Sequence, residues 1–342
     1  MIIRPLWQKN TPYIIAEAGV NHNGCIYTAI EMIDAAKEAG AHCVKFQAFT
    51  TDELVLIDAP TASYQKKNTG AKSQHEMLKK LELSKDDLIE LKRRCNEKEI
   101  DFMVTPFSAN WVEFLTSIGV IAFKIGSGNT TDPFLIEAIG KSHLPVIIST
   151  GMCDLGEVRD SIHALRAAGA TDMAILHCVS LYPTPLDKLN LKAISTLANL
   201  NLAVGFSDHS IETVTGMLAI AAGATILEKH FTLDQKSFGP DHKMSLEPEQ
   251  LSQYVTGALA AYEAMGDGIK RPCRAEQQTK KAARLSLVAV CDIEPGTKIT
   301  KSMLTAKRPG SGIPAEQIND VLGKITIEPI KANQLINMKV LQ

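Results

Sequence analysis

Three ionisable residues in a row, Glu228, Lys229 and His230, end the run TILEKHF (225–231), whose opening reads as a buried strand. A purely structural strand has no reason to finish that way. A second imidazole, His209, finishes the preceding run, AVGFSDH (203–209). Two imidazoles on adjacent strand tips can reach one divalent ion at ~2.0–2.2 Å. Two ligands leave positions open for water and substrate, as a Lewis-acid centre needs. Alone, each histidine reads as a satisfied structural side chain. Together, each beside a carboxylate (Asp208, Glu228), they make a candidate metal pair. His177, inside its run, and His22 and His42, in a turn and at a helix end, get no such role.

Anion binding is the second chemistry. KIGSG (124–128) and STGM (149–152) are small-residue turns after strand-like runs. Their backbone N–H groups can form anion nests, to which Ser127 and Ser149 add hydroxyls. Lys45 and Lys124 bring positive charge. A buried unpaired ammonium is costly, so these lysines need anionic partners, and a ligand carrying phosphate and carboxylate is a natural source. The plainer reading is that the glycines merely make tight turns. Proton transfer is the third. Glu17 and Asp241, the latter in FGPDHKMS (238–245), could move a proton to or from a hydroxyl or water. The plainer reading of each is a turn-former or an ion-pair partner, and for Asp241 alone the two readings weigh equally.

The elements that must position these groups follow a rhythm. Eight β-rich runs occur: 13–19, 43–49, 102–107, 122–127, 145–151, 173–179, 203–209 and 225–231. Helical patterns at 28–40, 86–99, 157–169 and 213–223 lie between them, and several end at Gly. Eight alternating units predict a (β/α)8 TIM barrel. Nearly every run is apolar at its start and polar at its finish, and barrel enzymes place their sites at the C-terminal ends of their strands. The connection 50–84 is long, and its polar stretch 59–78 reads as a flexible lid or binding loop. A closing helix over 245–266 completes a catalytic domain of residues 1–266. Residues 267–284 read as a linker. Residues 285–342 read as a small β-rich domain, which at that size should lean on a partner surface.

Composition sets the bounds. The 342 residues carry a net charge of −2 with no block of like charge, so neither nucleic acid nor membrane is an implied partner. MIIRPLWQKN has no apolar h-region of a signal peptide, and the longest apolar run, Met217–Leu227, is too short to span a bilayer. The seven cysteines form no CxxC pair. Cys43, Cys178 and Cys291 read as small buried hydrophobes, and an odd, unpaired set fits a reducing compartment, by default the cytoplasm.

These residues resemble the sialic acid synthase family, which also includes legionaminate and pseudaminate synthases. The resemblance rests on IAEAGVNHNG (15–24), VKFQ (44–47), TPF (105–107), FKIGSG (123–128), IISTGM (147–152), LHCVSLYPTP (176–185), GFSDHS (205–210), EKHFTLD (228–234) and GPDHKMSLEP (239–248). RLSL (284–287), KRPGSGI (307–313) and LGK (322–324) resemble that family's antifreeze-like (SAF) domain. The motifs cover essentially the whole chain in order.

The resemblance implies a metal-dependent condensation of phosphoenolpyruvate with an open-chain N-acetylated hexosamine, with C–O cleavage and phosphate release. It puts Mn²⁺ or Mg²⁺ on His209 and His230. It implies that Lys45, Gln47, Thr105, Lys124, Ser127, Ser149 and Ser207 hold phosphoenolpyruvate, and that Glu17, Asn68, Tyr182 and Asp241 meet the sugar. The small domain of one subunit would cap the other's barrel through Arg308, in a homodimer. The implied sugar is N-acetylmannosamine, giving N-acetylneuraminate. The nearest rival is a 2,4-diacetamido-6-deoxy-mannose, giving N,N'-diacetyllegionaminate. Two departures stand out. Asn129 occupies a place where some members carry an acid, which puts more weight on Glu17 and Asp241. Ser180 stands near where some have Asn, with a shorter reach to phosphate. Other classes remain open: a Schiff-base aldolase using Lys45 or Lys124, or a non-enzymatic binder of sugars or phosphates.

Overall fold

Eight short strands, all parallel, close into one barrel in sequence order. They are β1 (Tyr13–Gly19), β2 (Cys43–Ala48), β3 (Asp101–Pro106), β4 (Phe123–Ile125), β5 (Val146–Ser149), β6 (Met173–Cys178), β7 (Ala203–Asp208) and β8 (Ile226–His230). The expected (β/α)8 barrel is the observed one. The computed structural model describes residues 11–342. The stretch MIIRPLWQKN, in which no h-region was found, lies outside the described residues.

The barrel's helices are α1 (Ile26–Glu38), α2 (Thr51–Leu54), α3 (Ser63–Thr69), α4 (Gln74–Lys79), α5 (Lys85–Glu97), α6 (Val112–Ser117), α7 (Pro133–Lys141), α8 (Leu155–Ala168), α9 (Ala193–Ala198), α10 (Val214–Ala221) and α11 (Pro248–Met265). Local chemistry sets their starts. Ser84 and Asp87 form a reciprocal capping box on α5, as do Asp154 and Glu157 on α8. Asp132 caps α7 ahead of Pro133. Each such cap is worth ~1 kcal/mol.

Side chains alternate in and out along each strand, and this builds two cores. The inward set at the strand starts (Tyr13, Ile15, Cys43, Met103, Ala122, Ile147, Ala174, Leu176, Ile226) fills the barrel bottom. The outward set, including Ile14, Phe46, Phe102, Phe123, Phe206 and Leu227, packs under the helices. Gly205 lets the wall close, because a Cβ there would strike the Ile226 carbonyl and the Leu176 side chain. Among the described residues, no helix is long and apolar enough to cross a membrane.

Two expectations need correction. The stretch 59–78 is not an unstructured loop, since it carries α3 and most of α4. Met77 and Leu81, one helical turn apart, join Val20 and Phe49 in a separate buried cluster, and that burial orders the segment. The residues read as a linker, 267–284, contain a helix of their own, α12 (Glu276–Ala283).

The chain divides into two compact units after Gly266, and the linker residues belong to the second. In that unit β9 (Ser286–Ala289) and β10 (Leu304–Lys307) pair antiparallel, Leu304 opposite Ala289. Leu287, Ile293, Ile299, Val321, Ile330 and Ile336 are among the residues of its own small core. Cys291 is exposed rather than buried, because it falls in the turn after β9.

Candidate active site

Period-two alternation continues past the barrel bottom and turns polar. Counting by twos, Ile15 leads to Glu17, Cys43 to Lys45 and Gln47, Met103 to Thr105, and Ala122 to Lys124. Likewise Ile147 leads to Ser149, Leu176 to Cys178, Gly205 to Ser207 and His209, and Ile226 to Glu228 and His230. All of these polar side chains line one cavity of ≈ 750 Å³ at the C-terminal mouth.

The two lysines are not waiting for a ligand to neutralise them. Lys45 Nζ lies 2.5 Å from Glu17 Oε2 and 3.7 Å from Glu228 Oε2, and it donates to Thr105 Oγ1 at 2.9 Å. Lys124 Nζ lies 3.9 Å from Glu228 Oε1 and donates to Ser149 Oγ at 2.5 Å. Protein carboxylates thus supply the partners that a ligand was expected to supply. Glu228 sits between the two ammonium groups and accepts from Ser207 Oγ at 3.1 Å. Burial raises its carboxyl, but Lys124, Lys45 and His209 outweigh burial and hold it below the usual carboxylate range. Glu17 goes the other way. Burial pushes it up, Lys45 pulls against that, and Glu228 adds to the rise. Of this pair, Glu17 is the easier to protonate.

The serines build the small-residue side. Ser127 Oγ accepts from Gly151 N at 3.0 Å and approaches Cys178 Sγ at 3.5 Å. Gly151 must be glycine, since a Cβ would strike the Ser180 and Ser127 hydroxyls. Ser180 Oγ is buried without a hydrogen-bond partner and lines the cavity.

The two histidines come together. The His209 and His230 rings stand 5.5 Å apart, centroid to centroid, the spacing of two imidazoles that share an ion at ~2.0–2.2 Å from each nitrogen. His209 Nδ1 donates to the Val179 carbonyl at 2.8 Å, which leaves Nε2 as the free ligand atom. His230 Nδ1 is buried with no partner. Burial and the cations around it hold His230 well below its ordinary value, so it is a neutral imidazole, the ligating form. His209 is held above its ordinary value, since Cys178 beside it outweighs burial. The pocket therefore favours positive charge at that ring, as a proton or as a cation. The donor set fits a divalent ion held by two histidines. Among the described residues, no group of three or more His, Cys, Asp or Glu makes a fuller protein cage.

The other end of the mouth is roofed by α3. Tyr64 stacks on Tyr182 with centroids 5.1 Å apart, and Tyr182 lies 4.3 Å from the His209 ring. Asn68 does not line the cavity; its Nδ2 donates to the Pro240 carbonyl at 2.9 Å and ties α3 to the 238–245 loop. Gln47 donates to Glu17 Oε1 at 2.9 Å rather than standing free. Asp241 is buried, with its carboxyl pushed up to about 7 by burial and by Glu17. It lines a side cavity of ≈ 470 Å³ continuous with the mouth. That cavity is mixed: the apolar side chains of Val20, Phe49, Leu54, Val55, Met77, Leu78 and Phe107 share it with Gln47, Tyr64, Gln65, Gln74, Asn129, Tyr182 and His230. Arg308 belongs to the second unit, where its Nε donates to the Ala283 carbonyl at 3.1 Å.

Sequence reading used Glu228 only as a carboxylate beside the metal pair, and gave no role to Cys178 or Tyr64. Period-two counting from Leu176 would have put Cys178 in the mouth. No local signal marks Tyr64, whose place depends on how the inserted helices pack. His22, His42 and His177 are engaged structurally. His22 Nδ1 accepts from Gly24 N, His42 Nδ1 accepts from Ile14 N, and His177 Nε2 donates to the Leu189 carbonyl.

Comparison with known proteins gives concordant findings. The model of the NeuB family matches residues 32–270, and that of the SAF domain matches residues 284–341. The chain is 41% identical to a protein named N,N'-diacetyllegionaminic acid synthase from Legionella pneumophila, over 94% of this chain and 92% of that one. It is also 41% identical to a protein of the same name from Campylobacter jejuni, over 94% and 98%. The crystal structure of an N-acetylneuraminic acid synthetase from Leptospira borgpetersenii, in complex with citrate, superposes with a TM-score of 0.71 at 34% identity, covering 79% of this chain and 90% of that one.

Proposed function

The chain belongs to the NeuB family of sialic, legionaminic and pseudaminic acid synthases, and from that premise we propose that it condenses phosphoenolpyruvate with an open-chain N-acetylated hexosamine to give a nonulosonic acid. The observation that carries the reading is one cavity holding two buried lysines and, facing them, two histidines 5.5 Å apart.

In this reading, Lys45 and Lys124 bind the phosphate and carboxylate of phosphoenolpyruvate, with Ser127, Ser149, Thr105 and Ser207 supplying hydroxyls. Glu228 fixes the two ammonium groups relative to each other and lowers the net positive charge that the trianion meets. His209 and His230 hold Mn²⁺ or Mg²⁺, which when bound supplies Lewis-acid polarisation of the sugar aldehyde. The enol carbon forms the new bond to the aldehyde carbon, water adds at C2, and C2–O cleavage releases phosphate. Asp241 and Glu17, whose carboxyls burial has raised, exchange protons with the aldehyde oxygen and the attacking water. Tyr182 orients the sugar. The enzyme works in the cytoplasm as a homodimer in which Arg308 of one subunit closes the sugar end of the other.

For the sugar itself, N-acetylmannosamine satisfies these roles. A second reading, a 2,4-diacetamido-6-deoxy sugar, is favoured by two observations. The side cavity beside Asp241 sets Leu54, Met77 and Phe107 beside the amides of Gln65, Gln74 and Asn129, a mixed lining that suits a second acetamido group and a C6 methyl. Both relatives at 41% identity carry the diacetyllegionaminic name.

The test measures phosphate release from phosphoenolpyruvate with each sugar, in Mn²⁺ with and without EDTA. Both readings expect sugar-dependent release that EDTA abolishes; the first expects higher kcat/KM for N-acetylmannosamine, the second for the diacetamido sugar. EDTA-resistant turnover of pyruvate with borohydride trapping on Lys45 or Lys124 would establish the Schiff-base aldolase instead. Binding of both substrates without release would leave a binding protein.

A further inference from the structure

Behind the mouth, on the opposite face of the same two strands, lies an ion pair that the reaction does not touch. Asp208 on β7 stands directly opposite Lys229 on β8 in the sheet register. Lys229 Nζ lies 2.9 Å from Asp208 Oδ2, and both side chains are fully buried. Each residue immediately precedes one of the two histidines. Because side chains alternate along a strand, the pair points outward as His209 and His230 point in.

The pair is embedded in a closed network. Asp208 also accepts from Ser210 N at 2.8 Å and from Thr215 Oγ1 at 2.5 Å. Lys229 also donates to the Ser210 carbonyl at 2.5 Å and to Ser210 Oγ at 3.2 Å. Its ammonium lies 5.3 Å from the centre of the Tyr254 ring on α11. That ring reaches the network only because Gly216 on α10 has no side chain to block it. His209 is therefore clamped on both sides, at 208 and at 210, to the residue that precedes His230.

A buried ion pair gains little stability over well-packed apolar residues of similar size, so stability is a poor reason for this one. We propose that Asp208 and Lys229 are positioning residues that fix the spacing of His209 and His230, and through it the affinity for the divalent cation. The proposal rests on the reading of those histidines as cation ligands.

The test is direct Mn²⁺ binding, followed by the electron paramagnetic resonance signal of free Mn²⁺, on full-length wild type and on the double variant Asp208→Asn/Lys229→Met. That double variant leaves no lone buried charge. Circular dichroism checks its fold. The expected result is a ~10–100-fold weaker Kd for Mn²⁺, the range seen when groups orienting metal ligands are removed, with a lower kcat and a KM for phosphoenolpyruvate within about twofold of wild type. A folded double variant with wild-type Mn²⁺ affinity overturns the proposal. A milder variant, Thr215→Val, removes one hydrogen bond to Asp208 and should weaken Mn²⁺ binding ~3-fold. If the double variant does not fold, unchanged affinity in Thr215→Val overturns the proposal. Wild type that binds no Mn²⁺ overturns both the proposal and the reading beneath it.

Discussion

At the scale of single residues, the mouth works by setting carboxylates against one another. Glu228 is held ionised between two ammonium groups, while Glu17 and Asp241 are pushed toward protonation. Asp241 gives the sharpest consequence. Its folded-state pKa of about 7 exceeds the ordinary 3.8, so the folded state prefers the neutral acid. The associated stability is full below pH ~4 and is lost as the pH rises through about 7. In metal-free protein, the stability advantage of Asp241→Asn over wild type should grow by on the order of 4 kcal/mol between pH 4 and pH 8. Denaturant unfolding across that range measures it, and parallel curves for the two proteins would remove Asp241 as a poised acid. Much of this layer was legible beforehand. His209, His230, Lys45, Lys124 and Glu17 are read from strand-tip polarity, because period-two alternation is a local rule. Cys178 was open to the same rule but looked like a small hydrophobe. Which carboxylate pairs with which lysine was hidden, because it depends on register between strands distant in sequence.

Among the elements, the insertion between β2 and β3 matters most. Its polar sequence reads as loop, but Met77 and Leu81, packing against Val20 and Phe49 with Ala71 and Leu78 beside them, help order it into helices over the mouth. Three side chains then join α3 to the site: Tyr64 through its stack on Tyr182, Gln65 in the cavity lining, and Asn68 through the Pro240 carbonyl. The stack should hold the sugar end closed. Tyr64→Ala is predicted to raise KM for the sugar ~10-fold or more while leaving KM for phosphoenolpyruvate within about twofold, since the lysine end lies on other strands. Steady-state kinetics with each substrate varied decides this; equal rises in both constants would mean that α3 serves only folding. The strands themselves were legible to within two residues at either end. The lid helices were not, because long-range burial rather than their own periodicity orders them.

At the scale of the whole molecule, the chain is a catalytic barrel followed by a small unit with its own core. The boundary after Gly266 was readable from the change in composition, whereas α12 was masked by a basic, apolar-poor sequence. If Arg308 completes the partner's site, two inactive chains should rescue each other. Mixing Arg308→Ala with His230→Ala subunits is predicted to restore about a quarter of wild-type activity averaged over all mouths, since random pairing makes about half the dimers mixed and each mixed dimer has one intact mouth. Activity no greater than the sum of the two variants would place Arg308 outside any shared site. The account as a whole depends on His209 and His230 holding one cation at the rim of the lysine pocket. Crystals soaked in Mn²⁺ and measured at the manganese absorption edge test this most directly. One anomalous peak ~2.0–2.2 Å from a nitrogen of each ring is the predicted result; Mn²⁺ bound elsewhere, with no density between those rings, would contradict it.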